Sequence, residues 1–360
     1  MHITNRSFLS LIILLIILTL QSQSFAETAL DSRWVDGQFK GFNLGNAKAS
    51  KINEKDIPRL QKYGANLLRI GLRITKDSGS TNYKIDKVDE VFLDKIIASS
   101  KGSGISVVIT LGIEPSGNKS DYWNNNATKI RVGEIWKELA LKYKGNVQVV
   151  GFDLLNEPVI PRYYKLQGRD IWREWALDWS GRIRDADPNR TIIFEPAPWA
   201  LPDGFANLQP LPIPNVVYSL HFYSPREITH QGIYSYPLGV DYPGNVGFPP
   251  RYWDYSQLYS ILKHARKFSF ENKVPIYVGE FSCIRYASAN SRFKYVQDAI
   301  EIFEKEGWSW TFHSFKEWDG WDPEIEGNSK SLAIRLENGP LINLLSLHMR
   351  QLTRSHEQQK

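Results

Sequence analysis

Cysteine is all but missing from this chain: Cys283 stands alone among 360 residues, so no disulfide can form within it. Its place at the end of an apolar stretch reads as a small buried filler. Charge of one sign is also scarce. Lys and Arg number 44 against 39 Asp and Glu, a formal net charge of +5. With no dense basic block, that mild excess argues against nucleic acid as a partner. Metal and cofactor signatures are missing as well. There is no H-E-x-x-H and no cysteine cluster, and the seven His are scattered, so metal-free and cofactor-free chemistry is expected. Gly102 and Gly104 precede a strand instead of opening a helix, which leaves no G-x-G-x-x-G for a dinucleotide. A G-x-S-x-G elbow for a serine hydrolase is absent too.

Only one long apolar run occurs, at residues 8–20. It follows Arg6 and precedes the small-residue site Ser24-Phe25-Ala26, the pattern of an export leader over residues 1–26. An uncleaved anchor is the alternative. Cleavage after Ala26 removes Arg6 and lowers the charge from +5 to +4. It leaves residues 27–360 as one catalytic domain without a membrane span, expected to be a monomer and secreted or periplasmic.

What the chain does have is a regular alternation. Apolar stretches at residues 39–46, 66–74, 105–111, 147–155, 191–194, 216–223, 275–281 and 308–315 read as strands. Most are separated by helical patterns. The clearest carries Val132, Ile135, Trp136, Leu139 and Tyr143 as one stripe. Residues 224–254 read as a long loop rich in Pro, Gly and Tyr. Buried strands alternating with amphipathic helices imply a parallel sheet. Eight units without a linker predict a single closed (β/α)₈ TIM barrel, with an open doubly wound sheet as runner-up.

The chemistry gathers at the strand ends. V-V-G-F-D-L-L-N-E-P stops in Asn156, Glu157 and Pro158. Strict alternation sends Asn156 and Glu157 to opposite faces, so a shared site requires a bend or bulge there. I-Y-V-G-E-F-S places Ile276, Val278 and Glu280 on one parity, so Glu280 points to the axis if Val278 packs inside. Two convergent carboxylates are what glycoside hydrolysis needs, one to protonate the leaving oxygen and one to attack or activate water. An ion pair with Arg69 or Lys316 is the plainer reading of either. His221 and Tyr223 share a face at the end of their strand. Arg69 is placed at the end of the second strand, where its charge can orient Glu280 and favour its ionised form. Arg73 reads as a surface residue. Glu114 and Glu195 also end strands, so spacing alone leaves four carboxylates to choose from.

Five stretches in this order, G-F-N-L-G-N, L-R-I-G, F-D-L-L-N-E-P, L-H-F-Y and Y-V-G-E-F, together resemble glycoside hydrolase family five, the cellulase-type group of clan A. The resemblance runs from about Gly41 to about Trp321. It implies that Glu157 is the acid/base, Glu280 the nucleophile and Asn156 the partner of the sugar 2-hydroxyl, with Arg69, His221 and Tyr223 completing the site. It also implies a retaining mechanism, with carboxyl groups about 5–5.5 Å apart. Two positions depart from the pattern. Gly112 stands where a substrate-contacting His is usual, and His313 where a stacking Trp is usual; Trp318 and Trp321 can supply the stacking surface instead. The implied substrate is a β-linked polysaccharide or oligosaccharide, with endo-acting β-1,4-glucanase activity the leading expectation. A β-mannanase, a transglycosylase and a non-catalytic carbohydrate-binding barrel are the alternatives.

Overall fold

The computed structural model describes residues 30–77, 80, 82–113, 122–161, 170–329 and 331–357. The expected leader and Glu114 lie outside the described residues. Eight parallel strands form the centre: β1 (Lys40–Asn43), β2 (Leu67–Thr75), β3 (Ser106–Ile113), β4 (Val149–Asp153), β5 (Ile192–Phe194), β6 (Val216–Phe222), β7 (Ile276–Phe281) and β8 (Ser309–His313). Each pairs with its sequence neighbour, and β8 pairs back onto β1, so the barrel is closed.

Helices cover the outside as the apolar stripes dictate. In the helix Asn126–Lys142, the Asn125 side chain caps the first turn, and Val132, Ile135, Trp136 and Leu139 are buried. Beside it, the helix Ile171–Ala186 buries Trp172, Trp175 and Trp179. These rings pack with one another and with Trp123 at centroid distances of 4.8–6.1 Å. These four Trp are core, where burying large aromatic area stabilises the shell.

Inside the barrel, Leu67, Val108, Val150, Ile193, Val217 and Tyr277 form an apolar plug with Trp34 and Phe39. Two residues further along the same faces come Arg69, Thr110, Glu195 and Ser219, all buried. The interior thus changes from apolar floor to polar mouth within one repeat of the strand pleat.

Several expectations need correction. Tyr277 belongs to the interior plug and Val278 to the helix-facing core, so simple alternation would turn Glu280 outward. Instead the β7–β6 register slips between Val278 and Glu280, a bulge that brings Glu280 back to the axis. Gly279 makes this possible, since a Cβ there would lie 2.8 Å from Ser219 Oγ and 3.2 Å from His221 Nε2. Arg69 does not end its strand; β2 continues to Thr75, because its parallel pairing with β3 runs on to Ile74 and the hairpin strand Lys84–Ile85 adds Thr75. Arg73 is not a surface residue. Its guanidinium lies 2.9 Å from the fully buried carboxylate of Asp89. The stretch read as a long loop holds a short helix, Arg226–Thr229, and a hairpin pairing Gly244–Val246 with Arg251–Trp253. Cys283 is buried as expected.

Candidate active site

Glu280 sits at the mouth of the barrel in a cage of donors. Arg69 Nη1 donates to its Oε1 at 2.9 Å and Asn43 Nδ2 to the same oxygen at 2.7 Å. The Tyr223 hydroxyl donates to Oε2 at 3.0 Å. His221 Nδ1 and His313 Nδ1 each lie 3.8 Å from that oxygen. Burial pushes the carboxyl upward, but the charges of His221, His313 and Arg69 and the Tyr223 bond outweigh it and hold it at about 2. Glu280 is therefore ionised at neutral pH.

Glu157 is held differently. Its backbone takes a left-handed φ of 48°, which costs on the order of 1 kcal/mol for a residue with a Cβ. That turn resolves the alternation problem at the end of β4: Asn156 Oδ1 accepts from Arg69 Nη2 at 2.9 Å, while Glu157 Oε1 meets His221 Nδ1 at 2.9 Å. Burial favours neutral imidazole, yet the charges of Glu195 and Glu280 and the bond to Glu157 push His221 well above its usual range. His221 is thus an imidazolium standing between the two carboxylates. One oxygen of Glu157, one of Glu280 and a His221 nitrogen all lie within 4.8 Å of one another. That spacing is near enough for the three to share a metal ion, and equally for a proton to pass among them.

Arg69 ties the strands together. Fully buried, it pairs with Asp153 at 2.8 Å, Glu195 at 2.7 Å and Glu280 at 2.9 Å. Burial and the nearby Glu195 charge push Asp153 well above the usual carboxylate range. Burial works the same way on Glu195, but the charges of His221 and Arg69 prevail and hold it below its usual range.

Beside Glu280 opens a cavity of about 250 Å³ lined by Asn43, Arg69, Gly112, Asn156, His313 and Glu317 among others. A Cβ added at Gly112 would meet nothing nearer than Leu72 O at 3.9 Å, so the missing side chain leaves open room. His313 reaches the site, 3.3 Å from Asn43 Nδ2. Trp318 stands at the rim, 39% exposed, joined to Tyr223 through Trp321 at centroid distances of 5.9 Å each. Clefts of about 440 Å³ beside Val149 and Arg190, and of about 880 Å³ beside Pro198 and Asn207, contain neither Glu157 nor Glu280. Reading the sequence missed three members of the site. Asn43 lies within the G-F-N-L-G-N stretch and could have been found there. Asp153 and Glu317 carried no signal beyond their neighbourhood to N-E-P and to Trp318.

Residues 28–319 match the family model described as cellulase (glycosyl hydrolase family 5). The chain belongs to that family. It is therefore a glycoside hydrolase, and the binding-only barrel is set aside. Among curated relatives of this family 5 enzyme, endoglucanase C of Acetivibrio thermocellus is 26% identical over 285 residues, covering 71% of this chain and 81% of that one. Cellodextrinase A of Ruminococcus flavefaciens is 23% identical, covering 75% and 83%. Among solved structures, the endoglucanase Cel5A from Thermotoga maritima superposes with a TM-score of 0.69 at 24% identity, covering 87% and 98%. That likeness establishes the same barrel fold.

Proposed function

We propose that this family 5 enzyme is an endo-β-1,4-glucanase that hydrolyses a β-linked glucan with retention, using Glu280 as nucleophile and Glu157 as acid/base. The observation that carries the reading is the separation: an oxygen of each carboxylate lies within 4.8 Å of the other. Inverting enzymes need about 6.5–9.5 Å between carboxyl groups to seat a water, whereas retaining ones use about 5–5.5 Å.

In the first step, Glu280 attacks the anomeric carbon and Glu157 gives its proton to the departing oxygen. Negative charge leaves Glu280 and appears on Glu157. His221, 2.9 Å from Glu157 and 3.8 Å from Glu280, faces both carboxylates and so compensates either distribution with little rearrangement. In the second step Glu157 takes a proton from water, which displaces Glu280 and regenerates both groups. Asn156, fixed by Arg69, is the partner for the sugar 2-hydroxyl. Trp318 at the rim offers a face on which a further sugar can stack.

The first anomer formed from a soluble β-1,4-glucan, read by proton NMR before mutarotation, tests this. The β-anomer is expected, with random internal cuts that drop viscosity faster than reducing ends accumulate. An α-anomer overturns retention, and faster hydrolysis of glucomannan than of glucan overturns the substrate assignment. Residues 1–26 are proposed as the export leader and 27–360 as the catalytic domain. No helix among the described residues is long and apolar enough to cross a membrane. N-terminal sequencing of exported protein should begin at Glu27; an intact Met1 would show an anchor.

A further inference from the structure

Among the described residues, Glu195 is the carboxylate of the buried network that accepts the main-chain N–H of Glu157. It ends β5 with no exposed surface. Its Oε2 accepts the main-chain N–H of Glu157 at 2.6 Å. Its Oε1 accepts from Arg69 Nη2 at 2.7 Å and lies 3.2 Å from His221 Nε2. The residue whose amide it holds is the one with the left-handed backbone, and the following Pro158 carbonyl is fixed on the other side by Trp199 N–H at 3.1 Å. Glu195 therefore meets Glu157 twice: directly at the amide, and through His221 at the carboxylate.

We propose that Glu195 is a positioning residue, whose carboxylate holds the Glu157 amide in the left-handed turn that aims the Glu157 side chain at the leaving-group oxygen. The proposal rests on Glu157 being the acid/base. An unheld peptide at that position relaxes toward the extended region that a following proline favours, and extended backbone turns the side chain away from Asn156's face. Proton delivery then fails while nucleophilic attack by Glu280 continues. A merely structural partner of Arg69 would instead weaken every substrate alike, because Arg69 also holds Glu280.

The test compares kcat/KM, which reports the glycosylation step, for phenyl and 2,4-dinitrophenyl β-cellobiosides. Only the phenyl leaving group needs a proton. In Glu195→Ala the phenyl/dinitrophenyl ratio is expected to fall about 100-fold from wild type, within the range of general acid catalysis. In Glu195→Gln the amide oxygen still accepts the Glu157 N–H. Both rates then drop as Arg69 and His221 lose a counter-charge, but the ratio stays within about threefold of wild type. An equal loss on both substrates in Glu195→Ala overturns the proposal, as does a collapsed ratio in Glu195→Gln. If the alanine protein does not fold, Glu195→Leu, which fills the space but cannot accept the Glu157 N–H, takes its place with the same expected ratio. Glu157→Ala run alongside must show the collapsed ratio. If it does not, the acid/base assignment has failed and the proposal falls with it; if it does, the Glu195 result stands on its own.

Discussion

At the end of β7, Glu280 receives hydrogen bonds from Asn43, Arg69 and Tyr223, and its side chain is 12% exposed. At the end of β4, the Glu157 carboxylate meets His221 among the described residues and is 32% exposed. The fixed scaffolding around Glu157 lies at its backbone, where Glu195 holds the amide. The contrast fits the roles proposed for the two groups. A nucleophile must be ionised and still before attack, and charged donors on several strands achieve both. A proton carrier must reach the leaving oxygen and later a water, so its carboxylate stays open while its peptide is locked.

Deleting each carboxylate breaks this comparison most severely. Glu280→Ala is expected to lower kcat by on the order of 10⁴-fold or more on every substrate, and added azide should fill the space and yield the α-glycosyl azide. Glu157→Ala should lose about 10²–10⁴-fold on glucan yet spare glycosylation by 2,4-dinitrophenyl β-cellobioside, with azide giving the β-anomer. Swapped anomers in product analysis would reverse the roles. Tyr223→Phe sharpens the comparison by removing one donor from the cage. A hydrogen bond to a charged group is worth about 1.5–3 kcal/mol, so a fall in kcat/KM of about tenfold is expected. Its acidic limb should move to higher pH, because the lost bond favoured ionised Glu280. An unmoved limb would show that Tyr223 does not set the ionisation.

The smallest effect concerns stability. Glu280 is held at about 2 against an unperturbed 4.5. Its ionisation therefore stabilises the fold above pH 4.5, and this contribution is lost as pH falls from there towards 2. Thermal unfolding should show Tm of the wild type falling more steeply over that window than Tm of Glu280→Gln. Parallel slopes would mean that the cage does not favour the charge.

The barrel was legible because its strands are nearly pure apolar runs and its helices carry clean stripes. The strand-end carboxylates were legible because Glu-Pro and Glu-Phe interrupt those runs, but the choice of Glu157 and Glu280 among four came from the family resemblance. The orientation of Glu280 was reached by the wrong route. Period-two reasoning sent Glu280 to the axis on the condition that Val278 packs inside, whereas Tyr277 is inside and a bulge at Gly279 restores the outcome. An isolated glycine within a strand was the available sign of that bulge. Glu195 was visible as a strand-end carboxylate, but its task was not, since a side chain's bond to a distant amide leaves no local pattern. Arg73 was misread for a related reason: its partner Asp89 lies in the next helix, and pairing across elements is invisible to a linear pattern.

The division of labour between the two strand ends is tested most directly by trapping the covalent intermediate. Incubation with 2,4-dinitrophenyl 2-deoxy-2-fluoro-β-cellobioside slows breakdown of the glycosyl-enzyme, and peptide mass spectrometry then locates the sugar. The expected result is one fluorocellobiosyl group per chain, on the peptide containing Glu280, with loss of activity in step with labelling. A label on Glu157 or Glu195, or full turnover with no covalent adduct, would contradict the account.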